Sequence, residues 1–399
     1  MLFDDNADDL IYLDHAATTA VDPDVLSVML PYFSTHYGNP SSIYRLGQEA
    51  RAALDRARAS VARVLGCQPA EIIFTSGATE SNNLALKGVA WLRRSQSHPA
   101  DKPPHIVITR IEHHAVLHAA EALEAQGFDV DYVPCDEHGI VAVADVEAAL
   151  RPETCLISVM YANNEVGAIQ PIPAIGQLAR QHGVPFHTDA VQAAGTLPIR
   201  VDDLGVDLLA LSAHKFYGPK GVGLLYVRRG TPMSYQQAGG GQEDGRRGGT
   251  ENVPLIVGLA AALEKADWLR DAYAAHCAGL RDRLLAGIQE AIPDVDLNGP
   301  VDPRQRLANN LNVAIPGVQG ETILLSLDME GITASAGSAC TTGNSEPSHV
   351  LRAMGFSDER CRASLRLTVG RDNTAEEIDE TVDVLAAIVS RVRDLAGVA

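Results

Sequence analysis

Six short apolar runs, at residues 71–75, 105–109, 155–160, 184–187, 206–211 and 222–227, alternate with segments of helical periodicity. Runs of that length, apolar at consecutive positions, read as strands covered on both faces, and the helices between them supply the crossovers that parallel strands require. The expectation is an α/β fold with a mainly parallel sheet flanked by helices and with functional side chains on loops at strand ends. Residues 95–104, rich in Pro, Ser and His, read as a surface loop. Beyond the glycine-rich stretch 239–249, a helical pattern from Pro254 to about Ala291 leaves this sheet and opens a smaller α+β unit. That unit carries a strand near 310–313, a helix after Gly320, a strand at 364–368 and a terminal helix after Asn373. The expected division is an N-terminal segment 1–22 packing with the small domain, a large domain 23–265 and a small domain 266–399.

The charge narrows the function. In 399 residues, 32 Lys and Arg face 51 Asp and Glu, a net −19, so a broad cationic surface for nucleic acid is not expected. The start of the chain lacks a basic region followed by an apolar run, and no apolar stretch reaches the length of a membrane span; a cytoplasmic protein that touches no membrane is expected. Six cysteines, at 67, 135, 155, 277, 340 and 361, form no C-x-x-C pair, which disfavours a zinc site or a disulfide framework. Any special cysteine acts alone.

Three segments carry chemistry. In Ser212-Ala213-His214-Lys215-Phe216-Tyr217-Gly218-Pro219, a lysine follows a buried strand; partial desolvation would lower its pKa and let the neutral amine condense with a carbonyl cofactor. A solvated surface lysine is the competing reading. In Phe186-His187-Thr188-Asp189-Ala190-Val191-Gln192 an acidic residue ends another strand, where it can pair with the protonated ring nitrogen of pyridoxal 5'-phosphate (PLP) or simply cap a helix. Thr75-Ser76-Gly77-Ala78-Thr79-Glu80-Ser81 offers a strand, a small-residue turn and a helix start, which suits a phosphate, although Ser or Thr followed by Glu is also a capping box. Ser212 and His214 can add side-chain donors to that phosphate.

These segments, together with Tyr12-Leu13-Asp14-His15-Ala16-Ala17-Thr18-Thr19, Gly38-Asn39-Pro40-Ser41-Ser42, Glu112-His113, Asn163-Asn164-Glu165-Val166-Gly167, Gly248-Gly249-Thr250-Glu251-Asn252 and Gly337-Ser338-Ala339-Cys340-Thr341, resemble the cysteine desulfurases. These are PLP enzymes of fold-type I within the class V aminotransferase superfamily. The resemblance implies that Lys215 holds PLP, Asp189 pairs with its pyridine nitrogen, Gln192 bonds its phenolic oxygen, and His113 stacks on the ring and assists proton transfer. It implies that Asn164 contacts cofactor and substrate, that Ala78, Thr79, Ser212 and His214 bind the phosphate, and that Thr250 reaches the phosphate of a neighbouring subunit in a homodimer. Arg366 would grip the carboxylate of L-cysteine, a structural ion pair being the competing reading.

Cys340 sets the reaction class implied. It lies in a run of small residues, Ser335 to Asn344, and its thiolate would take the substrate sulfur as a persulfide, leaving L-alanine. The length of this loop resembles the class I type that loads sulfur onto a scaffold or other acceptor protein, for iron–sulfur cluster assembly or another thiolation pathway. No resident metal is implied, Cys340 being at most a transient iron–sulfur ligand. The alternatives are a PLP-dependent class V aminotransferase, a lyase for selenocysteine or cysteine sulfinate, and a sulfur-relay subunit with little activity of its own. His15 and Asp244 depart from the family's usual residues.

Overall fold

The computed structural model describes residues 10–98, 102–336 and 347–397. Twelve strands are found among them: β1 (Ile11–Tyr12), β2 (Ile72–Thr75), β3 (His105–Thr109), β4 (Asp129–Val133), β5 (Thr154–Ser158), β6 (Phe186–Asp189), β7 (Leu208–Ser212), β8 (Gly223–Val227), β9 (Asp296–Leu297), β10 (Asn310–Ala314), β11 (Ile332–Thr333) and β12 (Ser364–Thr368). Seven make the central sheet in the order β2-β8-β7-β6-β5-β3-β4. The pairs β3–β4, β3–β5, β5–β6 and β6–β7 are parallel; β8 is antiparallel to both β7 and β2. Two reversals restore direction, so β2 runs with β7, and β8 alone runs against the other six. The α/β expectation with a mainly parallel sheet holds.

Alternation along the strands separates two cores. Ile72, Phe74, Val107, Ile157, Leu209 and Leu224 face one side, with Ile73, Ile106, Ile108, Leu156, Leu208 and Leu225 on the other. Both faces are covered by helices, among them Arg45–Leu65 and Ala78–Gln96, which is why the strands are apolar throughout. The second of these helices takes Ser95 and Gln96 out of the loop expected at 95–104.

The helix Val253–Ala291 joins this body to a third cluster. Its first half contributes Val253, Ile256, Leu259 and Leu263 to the sheet's core, while its second half contributes Cys277, Leu280, Leu284 and Ile288 to a core shared with β10, β12 and the helix Ala375–Ala396. Ile11 and Leu13 join that third core, and β1 pairs in parallel with β11. The N-terminal strand thus lies on the C-terminal part of the chain, and residues 14–19 run from it across the carboxyl ends of the central strands.

Candidate active site

Because β2, β3, β5, β6 and β7 share one direction, their carboxyl ends open on one edge. The residues that follow them converge there on a cavity of about 650 Å3. From the end of β7 comes the Ser212, His214 and Lys215 segment, from β6 Asp189 and Gln192, and from β5 Met160 and Asn164. His113 follows β3; Ser76, Gly77, Ala78 and Thr79 follow β2; Arg366 enters from β12.

Asp189 is buried, and both its oxygens are engaged. Oδ1 accepts the amide of Val191 at 3.0 Å in a turn and not at the start of a helix, and Oδ2 accepts the Asn82 side-chain amide at 2.6 Å. Both donors are neutral, so a protonated ring nitrogen would supply the countercharge that burial otherwise denies this carboxylate. His113 likewise does two things. It starts the helix His114–Glu124, its Nδ1 accepting the amide of Ala115 at 3.1 Å, and its ring lines the cavity. Burial holds its pKa below the usual imidazole value, opposed by Asp189 and assisted by Lys215 and the neighbouring His114 and His349.

Lys215 Nζ donates to the carbonyls of Ala16 at 2.5 Å and Ala17 at 2.7 Å, and Gln192 Nε2 also donates to Ala16 O at 3.0 Å. The N-terminal segment thereby closes one side of the site. His214 meets Thr18 Oγ1 at 3.1 Å through Nδ1; burial, with Lys215 and Lys220 nearby, pulls its pKa down to about 4. At neutral pH it is an uncharged donor or acceptor. The turn after β2 places the first amides of a long helix at the cavity's end. Glu80 bonds back to the Ser76 amide at 2.8 Å and hydroxyl at 2.6 Å, but the helix is capped by Gly77 without a side-chain bond, so the capping box weighed against the phosphate reading does not form.

Arg366 is buried, its NH2 2.7 Å from Asp14 Oδ1 and its NH1 3.2 Å from Asn164 O, while its Nε has no partner among the described residues. The structural ion pair weighed against substrate binding therefore exists, yet the guanidinium still faces the cavity. Two expected residues are not gathered here. Thr250 is exposed, on a loop that Arg247 fastens to Glu80 at 2.9 Å, and does not line this cavity. Cys340 lies outside the described residues.

The family of this architecture follows from comparison with known proteins. The family "Aminotransferase class-V" matches residues 11–381. A cysteine desulfurase IscS of Clostridium botulinum is 47% identical over 386 residues, covering 97% of this chain and 96% of that protein. The chain belongs to the class V aminotransferases, among the PLP-dependent cysteine desulfurases. A human cysteine desulfurase is 44% identical, covering 97% and 83% of the two chains. Among solved structures, a NifS-like protein superposes with a TM-score of 0.88 at 38% identity, covering 96% of this chain and all of the other. The structure of SspA in complex with cysteine gives 0.79 at 37% identity, covering 91% and 100%.

The desulfurase cavity fits PLP by its own chemistry. It combines an amine at one strand end, a buried carboxylate at the next, an imidazole and a helix-start turn. Two buried polar atoms of wall residues, Asn82 Oδ1 and Arg366 Nε, also lack partners among the described residues. Among the described residues no cluster of His, Cys, Asp and Glu could hold a metal ion, and no helix is long and apolar enough to cross a membrane. Sequence reasoning missed Asn82, which holds Asp189 from the helix Ala78–Gln96, and Asp14, which holds Arg366. Asp14 stands within a segment quoted for the resemblance, but nothing local marks it as the partner of a residue 352 positions away.

Proposed function

We propose that this desulfurase moves the sulfur of L-cysteine onto Cys340 as a persulfide, releases L-alanine, and passes the sulfur to a cysteine of an acceptor protein. The observation that carries the reading is the meeting of Lys215, Asp189, His113 and Arg366, from four different strands, around one cavity. PLP, when bound, supplies the electron sink that makes the substrate's Cα–H acidic and its C–S bond breakable. Asp189 holds the ring nitrogen in its protonated form, and Asn82 fixes the orientation of that carboxylate. Lys215 would carry the cofactor and would move a proton at the substrate's Cα through Nζ. His113, neutral at pH 7 because it is buried, carries its proton on Nε2, since Nδ1 accepts the Ala115 amide, and assists proton transfer by donating from Nε2. Arg366 meets the substrate carboxylate, with Asp14 and the Asn164 carbonyl holding the guanidinium in place. Gln192 and Asn164 contact the cofactor. Ala78, Thr79, Ser212 and His214 receive the phosphate.

The sulfur step balances without an outside reductant. The C–S bond breaks, its electron pair stays on carbon and is protonated, and an S–S bond forms, so L-cysteine and Cys340–SH become L-alanine and Cys340–S–SH. An aminotransferase or a selenocysteine or sulfinate lyase would not need Cys340, and the desulfurase relatives disfavour both. A homodimer, with the partner subunit's Thr250 completing each phosphate site, and a cytoplasmic location are part of the proposal. The acceptor is a sulfur-accepting or iron–sulfur scaffold protein. Cys340→Ala tests the chemistry: it should bind PLP and cysteine with the wild-type spectral change yet form no alanine. Normal alanine formation would remove Cys340 from the mechanism. Borohydride reduction should place the pyridoxyl group on Lys215, and finding it on Lys220 or Lys87 would overturn that assignment.

A further inference from the structure

The chain that leads away from Cys340 re-enters the described structure at Pro347, and the next two residues are both tied to the active site's frame. Ser348 Oγ donates to Glu165 Oε2 at 2.5 Å, and His349 Nε2 meets the carbonyl of Glu112 at 2.9 Å. Glu165 follows Asn164 and Glu112 precedes His113, so each tie ends one residue from a side chain of the cavity wall. On the approach to Cys340, Ser335 exchanges two backbone hydrogen bonds with Arg366, at 3.1 and 2.6 Å.

The Glu165 carboxyl is a fixed post. Asn163 Oδ1 takes the amides of Glu165 and Val166 at 2.8 and 3.0 Å, Asn163 Nδ2 donates to Ile111 O at 3.0 Å, and Asn312 Nδ2 donates to Glu165 O at 3.0 Å. Gly167 closes the turn at φ 72°, where an added Cβ would lie 3.0 Å from Asn310. Ser348 also caps the helix His349–Ala353, its Oγ accepting the Leu351 amide at 3.2 Å. Neither PLP chemistry nor substrate binding uses this hydroxyl.

We infer that Ser348 and Glu165 form a positioning tie that registers the returning Cys340 segment against the cavity, serving sulfur transfer and not cysteine binding. This rests on the reading of Cys340 as sulfur acceptor. A segment fastened at both ends presents its thiol at a high effective concentration, and loosening one end dilutes it. Burial pushes the Glu165 carboxyl up to about 7, so at neutral pH the hydroxyl meets the protonated and ionised forms in comparable shares.

The test uses PLP-loaded wild type, Ser348→Ala, Ser348→Thr and Cys340→Ala with labelled cysteine in single turnover. Cysteine binding is read from the spectrum of bound PLP, and sulfur on Cys340 by mass spectrometry. Ser348→Ala should bind cysteine with unchanged affinity and load Cys340 about tenfold more slowly, the worth of one buried hydrogen bond. Ser348→Thr, which keeps the hydroxyl, should restore the rate. Wild-type loading by Ser348→Ala, a parallel loss of cysteine binding, or failure of Ser348→Thr to restore the rate would overturn the tie. Labelled sulfur retained by Cys340→Ala would instead overturn the Cys340 reading itself, whatever Ser348→Ala does.

Discussion

Glu112 shows how a residue beside an identified one can matter for a reason its sequence does not carry. The pair Glu112-His113 reads as a helix start, and His113 does start a helix, but nothing local indicates that Glu112 is entirely buried. Its Oε1 takes both the Thr109 hydroxyl at 2.7 Å and the Met160 amide at 2.8 Å, leaving Oε2 buried without a partner among the described residues. Burial first, and the nearby Asp189 carboxylate, push its pKa from 4.5 up to about 8, so the folded chain keeps a proton that the unfolded chain releases. Its contribution to stability is full below pH 4.5 and is lost as pH rises toward 8. His187 works the opposite way. Complete burial pulls it down to about 3, and its contribution is present above 6.5 and lost as pH falls. Glu112→Gln keeps an acceptor oxygen and cannot ionise. Its urea midpoint should fall less than wild type's between pH 5 and pH 8, some decline remaining because Glu165 titrates in the same sense. Equal declines in the two proteins would show that Glu112 does not hold its proton in the fold. Asp189, Arg366 and His113 were legible by residue type and segment, and Arg366 and His113 also fill structural roles, an ion pair and a helix start.

At the scale of elements, legibility followed burial. The six apolar runs became β2, β3, β5, β6, β7 and β8, with ends shifted by a residue or two. Missed was β4, Asp129-Val130-Asp131-Tyr132-Val133, an edge strand whose polar positions need no cover. Strand direction was not legible either. The reversal at β8 depends on pairing across the sheet, and it is what puts the turn after β2 beside the end of β7. Gly223 opens β8 at that junction, where an added Cβ would lie 2.6 Å from Leu211 O and 2.7 Å from the backbone of Gly77. Neither neighbour is a side chain that can swing away. Gly223→Ala should therefore cost about 1–3 kcal/mol, as overpacking does, and should weaken PLP binding by displacing the phosphate turn. Urea denaturation and PLP titration check the two effects; wild-type values in both would show that the junction has slack.

The whole molecule has two apolar bodies threaded by one 39-residue helix, and an acidic sequence, neither of which says how two copies meet. The loop between β8 and that helix carries the pertinent detail. Arg58 binds Glu243 through both guanidinium nitrogens, at 2.9 and 2.7 Å, and Arg247 binds Glu80, so the loop is held firmly to its own subunit while Thr250 stays exposed. Thr250, exposed and outside its own cavity's wall, can be presented to another chain. If it completes the partner's phosphate site, its loss should appear in the partner's affinity for PLP. Thr250→Ala homodimers should bind PLP about tenfold more weakly, the worth of one hydrogen bond to a charged group, and Lys215→Ala homodimers should not link it covalently. In a mixed dimer of the two, the site with an intact lysine receives its threonine from the Lys215→Ala subunit. That dimer, separated by differential tags, should bind one PLP covalently with wild-type affinity. The other site, lacking both groups, should stay empty at the same concentration. A mixed dimer no better than the Thr250→Ala homodimer would place Thr250 outside the partner's site, and monomers with full PLP occupancy would remove the need for a partner.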